Sequence, residues 1–284
     1  MQAGFIGLGN LGRAMAGRLR ETGVDLTVWN RTAAKAAAFG GRSAAHPAEL
    51  ISAVPAVVMS LADSDAVELV LRGERGLLSG DCAGKLVIDT TTNHHAPVLL
   101  FHQLCRQKGA RYVEAPVAGS VVPASRGELV VMASGEPADV EAARPLLDRL
   151  AATIHVLGAP GLATRMKLVN NLCLATFMAV LGEALATAEA AGIDRTRAVA
   201  ILGDGAGKSL VLDAKRQKLL DRDWSPQFAV GTIHKDLHCL QDLAREIGRP
   251  QHLAGVVKEQ YARLILKGRA REDFSAVYDV FREG

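Results

Sequence analysis

The sequence predicts an α/β chain in which a doubly wound parallel sheet is followed by a long helix and an all-α region. Three observations carry this. Short apolar runs rich in β-branched residues alternate with helical stretches through the first half. From about Thr164 to Ala191 runs a nearly uninterrupted helix-forming segment rich in Ala, Leu and Met, with Gly192 placed to stop it. Beyond it, helices joined by turns follow and strands are hard to find. The boundary falls near residue 162, giving an α/β domain over residues 1–162 and a helical domain over residues 163–284.

In chain order, AGFIGL at 3–8 reads as a strand running into glycines. A helical pattern from Leu11 to Thr22 follows, then a second strand, VDLTVW, at 24–29. Further strands are expected at 54–61, 85–90, 111–115, 128–133 and 153–157, with a helix at 64–72 among them. The long helix from Thr164 would span roughly 40 Å at 1.5 Å per residue, so it reads as a spine shared by two lobes or two subunits. Its apolar surface needs cover, which implies a homodimer or homotetramer.

Bulk properties exclude several classes. With 49% hydrophobic and 22% charged residues over 284 positions, the composition is that of a soluble globular protein. The net charge is only +3 and the basic residues are scattered, so neither nucleic acid nor a membrane surface is an expected partner. Cys82, Cys105, Cys173 and Cys239 form no C-x-x-C pair and no zinc-finger spacing. They read as reduced, mostly buried thiols of a cytoplasmic protein, with Cys173 packed as a small apolar residue. No secretion leader is expected, and no segment reaches about 18 unbroken apolar residues, so no membrane span is expected.

Residues 7–12 read GLGNLG: Gly7, Leu8, Gly9, Asn10, Leu11 and Gly12. A G-x-G-x-x-G is informative only between a strand and a helix, which is where this one lies. The first glycine permits a tight turn, the second lets backbone approach a pyrophosphate, and the third lets the helix pack on the strand. The helix N-terminus adds N–H groups and partial positive charge. This is the fingerprint of a Rossmann dinucleotide-binding domain. The second strand selects the dinucleotide. An NAD site carries Asp or Glu at that strand's end for the ribose 2′-hydroxyl. Here the strand ends in Trp29, Asn30, Arg31 and Thr32, with no acid. Arg31 suits a 2′-phosphate, with Asn30 and Thr32 as further donors, so the expected cofactor is NADP.

Other candidate residues lie in the second half. EAPVAGS at 114–120 follows an apparent strand and reads as a loop able to bring backbone N–H groups against a ligand. Lys167 and Asn171 are spaced i, i+4 and share a helix face. In a cleft, such a lysine could give a proton to a carbonyl oxygen. Taken alone, a surface lysine beside a helix-packing asparagine is the commoner reading. GDGAGKS at 203–209 is not a phosphate loop, because the required first glycine is Leu202. His234 and His238 have i, i+4 spacing, but Lys235 stands where a glutamate would be needed and no third ligand follows, so no metal is expected. His94 and His95 read as a polar loop beside Thr92.

Taken together, GFIGLGNLG, NRT, EAPVAGSVVPASRGEL, GLATRMKLVNN and HKDL resemble, in this order and over essentially the whole chain, the β-hydroxyacid dehydrogenase family. The PVxGSxxPAxxGxL form, NRT and the terminal DFSAV at 273–277 look most like its glyoxylate and succinic semialdehyde reductase branch. The resemblance implies an active site between the two domains, with Lys167 as proton donor in reduction and Asn171 holding it and the substrate. It implies that Ala118, Gly119 and Ser120 bind a substrate carboxylate. Thr92 would lie by the nicotinamide ribose, and Leu61 and Ala62 by the cofactor. Lys235 would reach the cofactor and Asp236 the substrate, with Phe228 nearby. In most relatives the position of Ala118 is serine, so a shifted substrate preference or weaker binding of small carboxylates is expected. The implied activity is NADPH-dependent reduction of small aldehyde acids such as glyoxylate or succinic semialdehyde. Oxidation of a 3-hydroxy acid such as 3-hydroxyisobutyrate is the alternative, mildly disfavoured because NADP suits reduction in cells. Imine reductases share the architecture but usually lack the lysine. A non-catalytic binding member of the family is the third reading.

Overall fold

The apolar runs of the first half close into one sheet in a computed structural model of the chain, which describes residues 1–283. The chain divides into two compact units, one running from Met1 to Lys167 and the other starting at Leu168. In the first unit the elements are β1 (Gln2–Ile6), α1 (Asn10–Glu21), β2 (Asp25–Trp29), α2 (Ala33–Phe39), β3 (Arg42–Ser43), α3 (Pro47–Ala53), β4 (Ala56–Met59) and α4 (Ser64–Arg72). Then come β5 (Leu86–Asp89), α5 (His95–Gln107), β6 (Arg111–Glu114), β7 (Val117–Ala118), α6 (Val121–Arg126), β8 (Leu129–Ser134), α7 (Pro137–Leu147) and β9 (Ala151–Gly158). Helix α8 (Leu162–Ala190) carries the chain into the second unit, which adds α9 (Arg195–Asp204), α10 (Leu210–Asp221), α11 (Val230–Glu246), α12 (His252–Leu266) and α13 (Val277–Glu283).

The strand order is β3-β2-β1-β4-β5-β6-β8-β7, with β9 on β8. From β3 to β6 every pairing is parallel. The period-2 alternation of these strands feeds two apolar layers, one on each face. Phe5, Val28, Val58, Ile88 and Val113 enter one layer, while Ile6, Val57, Met59, Val87 and Tyr112 enter the other. That is the doubly wound arrangement, with both faces covered by helices.

The sheet is the expected doubly wound one, and its parallel order gives way only at the last strands. β8 runs antiparallel to β6 and β7, and β9 runs parallel to β8. A parallel return needs a crossover of about a dozen residues or more. Between Ala118 and Leu129 the chain has only the short α6, closed by Gly127 in the left-handed region at φ 73°. EAPVAGS is correspondingly less of a loop than its composition suggests. Glu114 pairs with Ser134, Val117 with Val131 and Ala118 with Val130, all in one register. β6 and β7 are thus one track on β8, interrupted at Pro116, which has no N–H to donate.

Helix α8 is the one helix among the described residues long and apolar enough to cross a membrane by length and composition, with mean hydropathy reaching 1.6. Its inward residues, including Leu168, Ala175, Met178, Leu181 and Leu185, form part of the second unit's core. That core is tied off near its end by Asp273. Its buried carboxylate accepts from Lys215 Nζ (2.9 Å), Gln227 N (2.9 Å), Phe228 N (3.2 Å), Ser275 N (3.2 Å) and Ser275 Oγ (2.7 Å). Lys215 is itself buried and lies 5.1 Å from the Phe274 ring centroid. Burial works against the charged carboxylate, but the Lys215 ammonium and the converging donors outweigh it and hold Asp273 below the usual carboxylate range.

Asp273→Ala leaves Lys215 buried without its counter-ion, and urea denaturation at pH 7 should show a loss of about 3–5 kcal/mol. Because the folded carboxyl titrates below its unfolded value, the wild-type advantage is complete above about pH 4 and shrinks as the pH falls further. An unchanged transition midpoint would refute this role.

Candidate active site

The carboxyl ends of β1, β2, β4 and β5 lie side by side in the sheet, and the first group of expected residues sits there. β1 stops at Ile6 because Gly7 turns the chain at φ 96°, two residues earlier than the apolar run suggests. A Cβ at Gly7 would stand 2.1 Å from the Ser60 carbonyl oxygen, and one at Gly12 would stand 2.0 Å from that of Gly7. Neither position tolerates a side chain. At Gly9 a Cβ would meet nothing within 4 Å. The backbone is bare there, with open space above it, and α1 begins at the next residue with no acid in its first turn. This cradle suits a pyrophosphate.

Asn30 has a structural task beyond its expected one. Its Oδ1 accepts from Leu8 N at 2.9 Å, and its Nδ2 donates to the Thr32 carbonyl at 3.0 Å. The side chain thus laces the glycine turn to the end of β2. Arg31 and Thr32 are exposed just beyond, as is Lys35 on α2, and residues 30–40 contain no acid. Lys35 was not singled out in the sequence. Its position one turn into the helix after β2 was the available signal.

Leu61 and Ala62 follow β4, and Thr92 follows β5. The two loops are stitched together: Leu61 N donates to Thr91 Oγ1 (3.1 Å) and Thr90 Oγ1 to the Met59 carbonyl (2.7 Å). Beneath them is Asp89, which accepts from Thr91 N (2.9 Å), Asn93 Nδ2 (2.8 Å) and Tyr112 Oη (2.6 Å). Full burial pushes the Asp89 carboxyl up and the Tyr112 phenol well above its ordinary value. The network holds the DTTTN loop in shape.

Ala118 ends β7, partly buried. Gly119 follows at φ 122°, where an added Cβ would come within 2.7 Å of the Leu129 side chain. The Ser120 hydroxyl is buried and has no hydrogen-bond partner among the described residues. At the other end of the same track, Glu114 is fully buried. Its Oε1 accepts from Gly161 N, and its Oε2 accepts from Thr164 N (2.9 Å) and Thr164 Oγ1. It therefore caps α8, one turn before Lys167. Glu114 was legible only as an acid closing an apolar strand.

Lys167 and Asn171 are both buried, one helical turn apart on α8. In the second unit Asn171 Nδ2 donates to Asp236 Oδ2 at 2.6 Å, and Asn171 Oδ1 accepts from Asn170 Nδ2 at 3.2 Å. Asp236 is fully buried, and its Oδ1 pairs with Lys235 Nζ at 2.8 Å. Asn171, Asp236 and Lys235 are thus one connected group, in which Asp236 orients the amide. Phe228 belongs to a different one: it donates its N–H to Asp273 and meets Phe274 edge-on at 5.7 Å. Cys173 is exposed, contrary to the packed position expected for it, because it lies on the outer face of α8. Among the described residues no three His, Cys, Asp or Glu side chains gather as a metal site.

Two family models account for nearly the whole chain. Residues 2–158 match the NAD-binding domain of 6-phosphogluconate dehydrogenase, and residues 161–281 match the NAD-binding region of NADP-dependent 3-hydroxyisobutyrate dehydrogenase. The chain belongs to the β-hydroxyacid dehydrogenase family. A nicotinamide dinucleotide is accordingly its cofactor. The protein is 32% identical to the cytokine-like nuclear factor N-PAC of Gallus gallus over 98% of its own length and 51% of that protein's. It thus spans about half the length of the N-PAC relatives it matches. It is 30% identical to glyoxylate/succinic semialdehyde reductase 1 of Arabidopsis thaliana, covering 99% of both chains. Among solved structures, 3-hydroxyisobutyrate dehydrogenase from Salmonella typhimurium superposes with a TM-score of 0.91 at 28% identity, covering 99% of this chain and 100% of that one.

Asn30→Ala would leave the Leu8 N–H without its acceptor and loosen the turn. The expected cost is about 1–2 kcal/mol, or a rise of roughly 5- to 30-fold in the dinucleotide dissociation constant. Titration of protein fluorescence with cofactor reads this directly, and an unchanged constant would remove Asn30 from the turn's support.

Proposed function

We propose that this protein is an NADPH-dependent reductase that converts small aldehyde acids, such as glyoxylate or succinic semialdehyde, to hydroxy acids with Lys167 as proton donor. The observation that carries the reading is the buried Lys167, one turn before the Asp236-held Asn171, in a chain that keeps the glycine cradle. When bound, the dinucleotide supplies hydride to the carbonyl carbon. Lys167 Nζ gives a proton to the carbonyl oxygen as negative charge develops there, and is reprotonated from solvent. The N–H groups of Gly119 and Ser120 and the unpartnered Ser120 hydroxyl suit a carboxylate. Ala118 offers no hydroxyl, which supports a substrate other than the family's usual one. Arg31, with Lys35 beside it and no acid in residues 30–40, supports NADP over NAD. The likeness to 3-hydroxyisobutyrate dehydrogenase over the full chain supports a second reading, oxidation of a 3-hydroxy acid.

We propose also that the protein works as a homo-oligomer, a dimer or a tetramer. In the second unit Val169, Cys173, Phe177 and Val180 form an exposed stripe along α8 at spacings of three and four residues. A second copy of the chain is the occupant that this self-complementary helix face suits. Phe177→Glu should then lower the mass measured by sedimentation to that of one chain, and a wild-type protein that sediments as a monomer would overturn the proposal.

The deciding experiment follows absorbance at 340 nm with NADPH or NADH across aldehyde acids, and with NADP and 3-hydroxy acids in reverse. The expected result is turnover of an aldehyde acid with NADPH preferred, falling by about 10²-fold or more in Lys167→Ala while cofactor still binds. Turnover of 3-hydroxy acids alone would favour the second reading. Failure with every substrate would leave a binding module, and full activity in Lys167→Ala would refute the lysine's role.

A further inference from the structure

We infer that Glu114 is a positioning residue for the reaction, fixing Lys167 relative to the segment 118–120 through the first turn of α8. This rests on the reading of Lys167 as proton donor.

A helix begins with N–H groups that have no partner within it, and buried ones must be satisfied from outside. At the start of α8 all four are accounted for. Gly161 N and Thr164 N donate to the two oxygens of Glu114, Ala163 N donates to Ser134 Oγ at 3.0 Å, and Leu162 N donates to the Ala159 carbonyl at 3.3 Å. The ordinary ladder then starts with Arg165 N on the Gly161 carbonyl. Glu114 and Ser134 face each other across β6 and β8. One cross-strand pair therefore supplies both side-chain caps. Both side-chain oxygens of Glu114 accept, and they do so at the positive end of the helix.

Two features make this more than a stable helix end. Thr164, Lys167 and Asn171 follow one another at three and four residues and lie on one stripe of α8, all buried. The double hold on Thr164, at N and at Oγ1, therefore sets the rotation of the stripe that carries the lysine. Glu114 also lies on the same interrupted track as Ala118, in unbroken register on β8. A single strand track thus holds the helix at one end and presents residues 118–120 at the other. The imidazole of His102 also lies beside Glu114, its Nε2 3.6 Å from Oε1.

The test is a double-mutant cycle. Glu114→Gln keeps shape but turns an N–H-bearing amide toward N–H donors. It should lower kcat about 10- to 100-fold while the NADPH dissociation constant changes less than about threefold. In the Lys167→Ala background the same change should alter the residual rate by less than about twofold, because a residue acting through Lys167 has nothing left to position. Should Glu114→Gln fail to fold, Ser134→Ala removes one cap bond and should show the same non-additivity with a smaller loss. Unchanged kcat, or losses that multiply in the double variant, overturn the inference. A wild type without turnover, or a fully active Lys167→Ala, instead brings down the functional reading on which it rests.

Discussion

Proline gives a β-ladder no N–H, yet Pro116 still accepts from Met132 N at 3.0 Å and the register on β8 is the same on both sides of it. Within the first unit that constraint organises both the segment 118–120 and the start of α8. The ladder interrupted at Pro116 resumes with Val117 and Ala118, so the chain leaves the sheet at Gly119 and not sooner. Because Ser134 ends β8 opposite Glu114, the two strands deliver paired acceptors to the point where α8 must begin. Backbone accounting there leaves little freedom. A helix shifted by one residue would face Glu114 and Ser134 with different N–H groups, and buried donors without acceptors cost about 1–3 kcal/mol each.

The dinucleotide half obeys a different rule, close approach. Carbonyl oxygens of Ser60 and Gly7 occupy the volumes that side chains at positions 7 and 12 would need, while position 9 is left open. Packing density thus enforces two glycines and leaves the third uncrowded. Asn30 adds the polar counterpart, replacing a backbone partner for Leu8 N with a side-chain one, so the turn is held without closing the cradle.

Much of this was legible in the sequence. The period-2 runs of β1, β4 and β5 and the glycine spacing suffice to place the sheet and the cradle, since both depend on local periodicity and local sterics. Lys167 and Asn171 could be put on one helix face for the same reason. What could not be read were relations between distant segments. The reversal of β8 depends on how short α6 is, and the composition of EAPVAGS hides its strand character. Glu114 and Asp236 take on their tasks only when residues 47 and 65 positions away are brought against them. Cys173 lies exposed where its composition suggests packing, since an apolar helix does not announce which of its faces is turned outward.

The Asp273 knot also bears on shortened forms of the chain. Lys215 enters the second unit's core 58 residues before the carboxylate that neutralises it. A chain cut short of Asp273 still carries the sequence of α8 to α12, but it cannot bury that ammonium favourably. Shortening the chain ahead of residue 273 should therefore loosen the core around Lys215, which limited proteolysis would read. The DFS segment, which by sequence looks like one branch of the family, is also the piece that completes the charge balance of the helical unit's core.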